Sequence, residues 1–449
     1  MSRHIAVDVG ASGGRVIVGT VDAGRITLDT VHRFPNGAAQ RDGHLRWDLS
    51  GIKSQVDLGL GRAGMVDSIG IDTWGIDYGL LDADGALLAE PVSYRDDRTK
   101  AVIDAVDARL SPSARYAING LQHLPFTTIY QLAAEQRTSL WQRAQHVVLL
   151  PDLLAFWLTG ELRTEMTNAS TTGLLDAQRR EWSPVLLDAL DIPRRLLPPL
   201  DTPGVVRGKT ASGVPVVVVG SHDTASAVAG VPAATSSFAY IACGTWALVG
   251  VELAAPVLTE EALAARFTNE AGVDRRTRFL RNVGGLWLLQ ECLRSWGRDD
   301  LESLLGDAAA LPATGRLIEV DDERFIAPGA MPERIAAAIG RSDLSPAETV
   351  RCILDSLAFA FVRTVREASQ ISGTPVEVIH IVGGGSQNTL LCQLIADAAG
   401  LPVVAGPVEA TAIGNIALQA RAAGSLPGSL EEIRAQIAAS THLRRYDPS

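Results

Sequence analysis

The sequence is poor in the features that mark secreted, metal-thiolate or membrane-spanning proteins. Cysteine occurs four times in 449 residues, at Cys243, Cys292, Cys352 and Cys392, with no CxxC pair. Such spacing excludes a disulfide frame or a thiolate zinc site and fits buried, reduced thiols. The eight histidines form no HxH or HExxH pattern, so no histidine metal centre is expected. No stretch reaches roughly 18 uninterrupted apolar residues, which leaves nothing to cross a bilayer as a helix. The opening MSRHIAVDVG meets Asp8 before any long apolar run, so no signal peptide and a cytoplasmic location are expected. Asn168-Ala169-Ser170 matches a glycosylation sequon, which has no meaning without secretion. Positive charge is in deficit too: 40 Lys+Arg against 51 Asp+Glu give a net −11. That balance argues against a nucleic-acid partner, which needs a cationic footprint. Small anions are not excluded, because a helix N-terminus binds phosphate whatever the global charge.

The remaining composition is that of a folded protein. Hydrophobic residues make up 47% and charged residues 20%, too apolar for a disordered chain. The length exceeds one ordinary core and suggests two or three domains. Strand and helix patterns alternate throughout, which points to α/β architecture. Residues 4–9, 16–21 and 25–34 read as a three-strand meander, 48–63 as an amphipathic helix, and 66–72 and 75–82 as strands. Residues 100–200 read as mostly helical. The run 214–219 has the β-branched continuity of a strand buried on both faces. The pattern then restarts, with strands at 238–242 and 247–252, a long helix at 347–371, a strand at 376–382 and a helix at 386–399. Strand, small polar-glycine turn and returning strand thus occur at 5–20 and again at 238–252. This repeat predicts two related α/β domains of about 200 residues each, facing one another across a cleft.

Several glycine-rich turns carry possible chemistry. Gly59-Leu-Gly61-Arg-Ala-Gly64 is a literal GxGxxG, but it ends a helix instead of opening one after a strand. Its glycines therefore read as a C-cap and turn, not a dinucleotide fingerprint. At Asp8-Val-Gly10-Ala11-Ser12-Gly13-Gly14-Arg15 a strand delivers a carboxylate to a tip rich in N–H donors. Ser12 adds a hydroxyl, Arg15 can reach phosphate oxygens, and Asp8 can hold a Mg²⁺ that bridges them; a plain tight hairpin is the alternative. Cys243-Gly244-Thr245-Trp246 stands in the equivalent place of the second half. Gly383-Gly384-Gly385 would set backbone donors and a helix N-terminus at a ligand, or serve as a flexible connection. Asp223 lies just past a buried strand, where open α/β sheets bind ligands. It reads either as a chemical group or as a helix N-cap, and His222 beside it as a ligand contact or a core histidine. Asp72-Thr-Trp74-Gly75-Ile-Asp77 and Tyr94-Arg95-Asp96-Asp97-Arg98 mix aromatic and charged groups as sugar sites do. The second is equally a salt-bridged loop.

Together, AVDVGASGGR (6–15), IDTWGIDYGLLD (71–82), YRDDRT (94–99), GSHDTASAV (220–228), ACGTWALVG (242–250), TNEAG (268–272), NVGGLWLLQ (282–290), VGGGSQN (382–388) and AGPVEATAIGNI (405–416) resemble the FGGY family of carbohydrate kinases. Order and approximate spacing agree over residues 4–420. The resemblance implies a two-domain actin-like ATPase (ribonuclease H-like) fold, with duplicated domains around a central cleft. It places an N-terminal domain at 1–232, with the sugar site and first phosphate turn. A C-terminal domain at 233–424 would carry the nucleotide site, and 425–449 would be a peripheral helical tail. By the resemblance, Ala11, Ser12, Gly13, Gly14, Arg15 and Thr245 contact the phosphates of ATP. Asn282, Gln290 and Gly384 contact the nucleotide, and Asp8 holds Mg²⁺. Asp223 is the general base, and Gly75, His222, Asp223 and Thr224 meet the sugar. The IDTWGID and HDTAS segments resemble most narrowly the branch acting on L-rhamnulose. The implied reaction is phosphorylation of its 1-hydroxyl by ATP, by a monomer or small homo-oligomer. L-fuculose or another ketose is the alternative substrate, and a non-transferring ATPase switch or sugar sensor the alternative class. One departure is Gly13, where that branch usually has a second serine; a backbone donor remains there, but one hydroxyl contact is lost.

Overall fold

A computed structural model describes residues 1–449. The chain divides into two compact units. The first comprises Met1–Ala234, Glu252–Phe279 and Ala410–Ser440, the second Thr235–Val251, Leu280–Glu409 and Thr441–Ser449. The first crossing falls close to the boundary expected at 232, but the chain then returns to the first unit twice.

The first unit is built on a six-stranded sheet. Its strands are β1 (Ser2–Gly10), β2 (Gly13–Asp22), β3 (Arg25–Pro35), β4 (Ser68–Thr73), β5 (Val206–Lys209) and β6 (Pro215–Val217), in the order β5-β6-β4-β1-β2-β3. The expected meander is present, with β1, β2 and β3 antiparallel to one another. β4 then pairs with β1 in parallel, His4 opposite Ser68 through Val9 opposite Thr73. Alternation along β1 supplies both faces. Ile5, Val7 and Val9 join Ile52 and Val56 of the helix Leu49–Arg62, while Ala6 joins Ile413, Ile416 and Ala417 of the helix Ala410–Ala422. Burying such side chains supplies roughly 1.5–3 kcal/mol each. The helix Ala410–Ala422 crosses the helix Asp223–Ala229 at Gly414, where a Cβ would stand 1.9 Å from the Ser226 carbonyl oxygen. This close crossing carries the start of the Asp223 helix against the sheet.

Several expectations need correction. Residues past 424 are not a peripheral tail. Leu430, Ile433 and Ile437 of the helix Leu430–Ser440 are buried in the first unit's core. On the same helix Arg434, 2% exposed, donates to both oxygens of Glu252, at 2.8 and 3.1 Å, and to the Val228 carbonyl at 2.9 Å. The polar composition of the segment hid this face, because one of its buried residues is an arginine. In the GxGxxG segment, Gly59 and Gly61 lie inside the helix Leu49–Arg62, and only Gly64, with φ +70°, makes the turn. The strand expected at 75–82 is confined to Tyr78–Leu81, which pairs with His146–Leu149; 75–77 is loop.

The second unit repeats the opening in its own sheet. β7 (Phe238–Cys243) and β8 (Trp246–Leu253) form an antiparallel hairpin, and β9 (Val378–Val382) pairs with β7 in parallel, as β4 does with β1. The expected long helix is Pro346–Ser372, started by a capping box of Ser345 and Glu348 with Pro346 in its first turn. It ends at Gly373, whose φ of +69° suits a left-handed cap. After β9, a short 3₁₀ turn at Gly384–Gln387 precedes the helix Thr389–Ala399, capped by Asn388. The triglycine therefore leads into a turn instead of directly opening a helix at 386.

Candidate active site

In the first unit the sheet brings carboxylates together at the ends of neighbouring strands. Asp8 and Asp72 are register partners across the parallel β1/β4 pair. Arg15, opposite Asp8 on β2, donates to the Asp8 carboxylate at 2.5 Å. Asp72 is fully buried; its Oδ2 accepts from Asn415 Nδ2 at 2.5 Å, and its Oδ1 has no hydrogen-bond partner. Burial first, then the charge of Asp8, pushes the Asp72 carboxyl well above the usual range. An acid at the matching position of the next strand was the available sequence signal for Asp72, but it emerges only once β4 is placed beside β1.

Asp223 is the first residue of its helix, with His222 at the cap position. Its Oδ1 accepts the Thr224 N–H at 2.7 Å and lies 3.5 Å from His222 Nε2. Local capping thus occupies one oxygen of a carboxylate whose side chain is 27% exposed. Burial, reinforced by the Asp8 charge, lifts its pKa from the ordinary 3.8 to about 6 against the opposing pull of His222. His222 is held from behind by residues that sequence reasoning gave no role. Its Nδ1 is 3.1 Å from Glu270 Oε2, Arg278 forms an ion pair with the same oxygen at 2.9 Å, and the Arg278 guanidinium donates to Thr224 Oγ1 at 2.9 Å. Burial would raise the Glu270 carboxyl, but Arg278 and His222 outweigh it and hold it down at about 2. Glu270 and Arg278 lie far along the chain, so only tertiary structure joins them to His222 and Thr224.

Beside these groups stands an aromatic wall organised by Asp77. Its Oδ2 accepts from Trp47 Nε1 at 2.6 Å, Trp74 Nε1 at 3.0 Å and the Tyr94 N–H at 3.2 Å, while Oδ1 accepts from Gln131 at 3.0 Å. The Trp47 and Trp74 rings are 4.4 Å apart, and Phe126 lies 5.8 Å from Tyr94. The charges of Asp77 and Asp223 both reach the Tyr94 phenol, which burial already pushes up. Gly75 passes so close to Thr171 that a Cβ would stand 2.8 Å from its hydroxyl. The cluster from Tyr94 to Arg98 is only partly a solvated loop: the Arg98 side chain is 9% exposed and bonds Glu135 at 2.5 Å and Gln131 at 3.0 Å.

The β1/β2 hairpin turns through Ala11 and Ser12, with Gly10 opposite Gly13. Ser12 is exposed. Gly14 has a packing reason, because a Cβ would stand 2.1 Å from the Phe34 ring. In the second unit, the turn at Gly244 and Thr245 is closed by the Gly244 N–H donating to the Trp246 carbonyl at 2.9 Å. Leu286 and Trp287 N–H groups bond the Gly244 and Thr245 carbonyls at 3.0 and 3.1 Å, and Gly385 packs on Cys243. Thr245 and Asn282 are half-buried; Gln290 and Gly384 are exposed. No group of three or more His, Cys, Asp or Glu side chains is arranged to enclose a metal ion. No helix is long and apolar enough to cross a membrane.

Comparison with known proteins places this arrangement. The N-terminal-domain model of the FGGY family of carbohydrate kinases matches residues 4–230, and its C-terminal-domain model matches 239–423. The chain belongs to the FGGY family of carbohydrate kinases. Among curated FGGY relatives, the rhamnulokinase of Klebsiella pneumoniae subsp. pneumoniae is 42% identical over 464 residues, covering 100% of this chain and 95% of the relative. That of Pectobacterium carotovorum subsp. carotovorum is 43% identical, covering 99% and 92%. Solved structures agree on the fold. Gluconate kinase from Lactobacillus acidophilus superposes with a TM-score of 0.81 at 19% identity, covering 100% of this chain and 94% of that one. Plasmodium falciparum glycerol kinase with ADP gives 0.79 at 16%, covering 100% and 95%. The FGGY fold, a two-domain α/β fold of the actin-like ATPase type, is therefore the fold of this chain.

Proposed function

We propose that the chain is a rhamnulokinase, transferring the γ-phosphoryl group of ATP to the 1-hydroxyl of L-rhamnulose to give L-rhamnulose 1-phosphate and ADP. It serves L-rhamnose breakdown in the cytoplasm as a monomer or small homo-oligomer. The observation that carries the substrate is the 41–43% identity to curated rhamnulokinases over essentially the full length.

Phosphoryl transfer is mainly positioning and charge neutralisation, with help in removing the alcohol proton. Asp223 is the proposed base. Its carboxylate, with a pKa near 6, is ionised at neutral pH yet more basic than an ordinary aspartate, which suits proton abstraction. Glu270 and Arg278 fix His222 and Thr224, so these two and Gly75 meet the sugar in set positions. The Ala11–Arg15 turn takes the phosphates; Thr245, Asn282, Gln290 and Gly384 are the proposed contacts of the second unit with ATP. A divalent cation suits the acidic end of the sheet. Asp72 Oδ1 is buried without a partner, Asp8 lies beside it, and carboxylate oxygens are the ligands Mg²⁺ prefers. With no protein-only cage, Asp8 would be the direct ligand, and water and phosphate oxygens would complete the shell. Bound there, Mg²⁺ would offset phosphate charge.

The test is ADP release from Mg·ATP with L-rhamnulose, L-fuculose, D-xylulose, L-ribulose and glycerol. Preference for L-rhamnulose is expected. Preference for another sugar would move the specificity while keeping the chemistry, and no sugar-dependent release would favour an ATPase switch or sensor.

A further inference from the structure

Ile76 is out of place by every local rule. From Ser68 to Leu81 it is the only residue that is not buried. Its φ is +68°, and among nine non-glycine residues at positive φ it is the only β-branched one. Branching at Cβ makes this region a genuine outlier, reached only where surroundings impose it. Those surroundings are present. The Ile76 N–H donates to Thr171 Oγ1 at 3.1 Å, and its carbonyl accepts from Thr128 Oγ1 at 2.6 Å and Gln131 Nε2 at 3.3 Å. Thr171 is itself anchored to the Asn168 carbonyl at 2.8 Å. The backbone requirement alone would be met with less strain by glycine or asparagine. An isoleucine at this position therefore points to a task for its side chain.

The segment lies on the frame of the candidate site. The Thr73 N–H donates to the Ser221 carbonyl at 2.9 Å, next to His222 and Asp223. Asn168 Nδ2 approaches the carbonyls of Ser221 at 3.3 Å and Trp74 at 3.5 Å, joining that strand end to the loop. On the other side, Gln131 bonds both Ile76 and Asp77, the hub of the aromatic wall. The sugar proposed above is 6-deoxy-L-fructose: hydroxylated along its length and ended by a methyl group. Hydroxyls can be met by the polar groups around Asp223, but a methyl needs an apolar surface. We infer that Ile76 is a specificity-determining residue whose side chain receives the C6 methyl of a 6-deoxyketose, an inference that rests on the kinase reading.

The experiment compares kcat/KM for L-rhamnulose with that for L-fructose, its 6-hydroxy counterpart, in wild type, Ile76→Gly and Ile76→Val. An apolar pocket disfavours a ligand that adds one hydroxyl to a methyl by roughly 10²-fold. Wild type should favour the deoxysugar, and Ile76→Gly should lower that preference by about tenfold or more, mainly through a higher KM for L-rhamnulose. Ile76→Val, which keeps a branched apolar surface, should retain most of the preference. Melting temperatures show whether each variant is folded; Ile76→Gly should not fall below wild type, since its backbone strain is relieved. An unchanged preference in folded Ile76→Gly, or an equal loss on both sugars, overturns the inference while leaving the kinase reading intact. Wild-type protein inactive on both sugars overturns the two together.

Discussion

Replacing Asp223 with asparagine separates the two roles open to it, because they predict opposite signs for stability. The ionised carboxylate is held at a pKa about two units above the ordinary 3.8, chiefly by burial and by the charge of Asp8. At about 1.4 kcal/mol per unit this is a native-state penalty of at most about 3 kcal/mol. Because 27% of the side chain is open to solvent, screening reduces it, and about 1–2 kcal/mol is the working figure. A folded-state pKa above the unfolded one means that stability declines as pH rises from near 4 to near 6 and is then level. Asp223→Asn keeps an oxygen for the Thr224 N–H and removes the charge. It should therefore raise the melting temperature by about 1–3 °C at pH 7.5, with the gain disappearing below about pH 4. Turnover should fall about 10²–10⁴-fold if the carboxylate takes the alcohol proton. The assays are a thermal melt across pH and sugar-dependent ADP release on the same preparation. Full turnover would refute the base and leave Asp223 as a helix-start residue. Lost turnover with a lower melting temperature would show that the loss came from damaged packing.

The same ionisation predicts that wild-type kcat/KM falls about tenfold per pH unit below pH 6, as the base is protonated, and a profile flat to pH 5 would contradict it. Asp8→Asn should increase the Mg²⁺ concentration needed for half-maximal activity without unfolding the protein; an unaltered metal requirement would remove Asp8 from cation binding. Arg434→Ala leaves the Glu252 carboxylate, 3% exposed, paired only with Arg276 and should destabilise by about 1–3 kcal/mol in denaturant titration. A change below 1 kcal/mol would return the last helix to the periphery.

The meander, the long helix and the glycine turns were legible because each is a local pattern of neighbouring residues. Asp223 was legible as a position, just past a buried strand, but its raised pKa was not, since that follows first from burial and then from the charge of Asp8, more than 200 residues away. The roles of Glu270 and Arg278 were invisible for the same reason; Thr268–Ala271 shows only a short polar segment until the fold brings it to His222. The last helix misled in the opposite direction, because a buried arginine paired with Glu252 counts as polar in any periodicity. Ile76 gave no signal at all, since a left-handed isoleucine is written no differently from an extended one.

The two hairpins show how one topology has taken on two chemistries. In each unit a strand turns into an antiparallel partner and receives a parallel neighbour on its other edge. Counting back two residues from the end of the leading strand gives Asp8 in the first unit and Ile241 in the second. Their parallel partners are Asp72 and Ile381. The positions that hold an acid pair in one sheet hold an apolar pair in the other. Burying two carboxylates on adjacent strands opposes folding unless something offsets their charge, and Arg15 and Asn415 do so only in part, since Asp72 Oδ1 remains without a partner. Two isoleucines at the same sites need no such compensation. A fold that required only stability would have kept the apolar pair in both units. The acid pair in the first unit alone fits the cation and proton chemistry proposed for that unit, and Asp223, whose pKa responds to Asp8, belongs to the same electrostatic group.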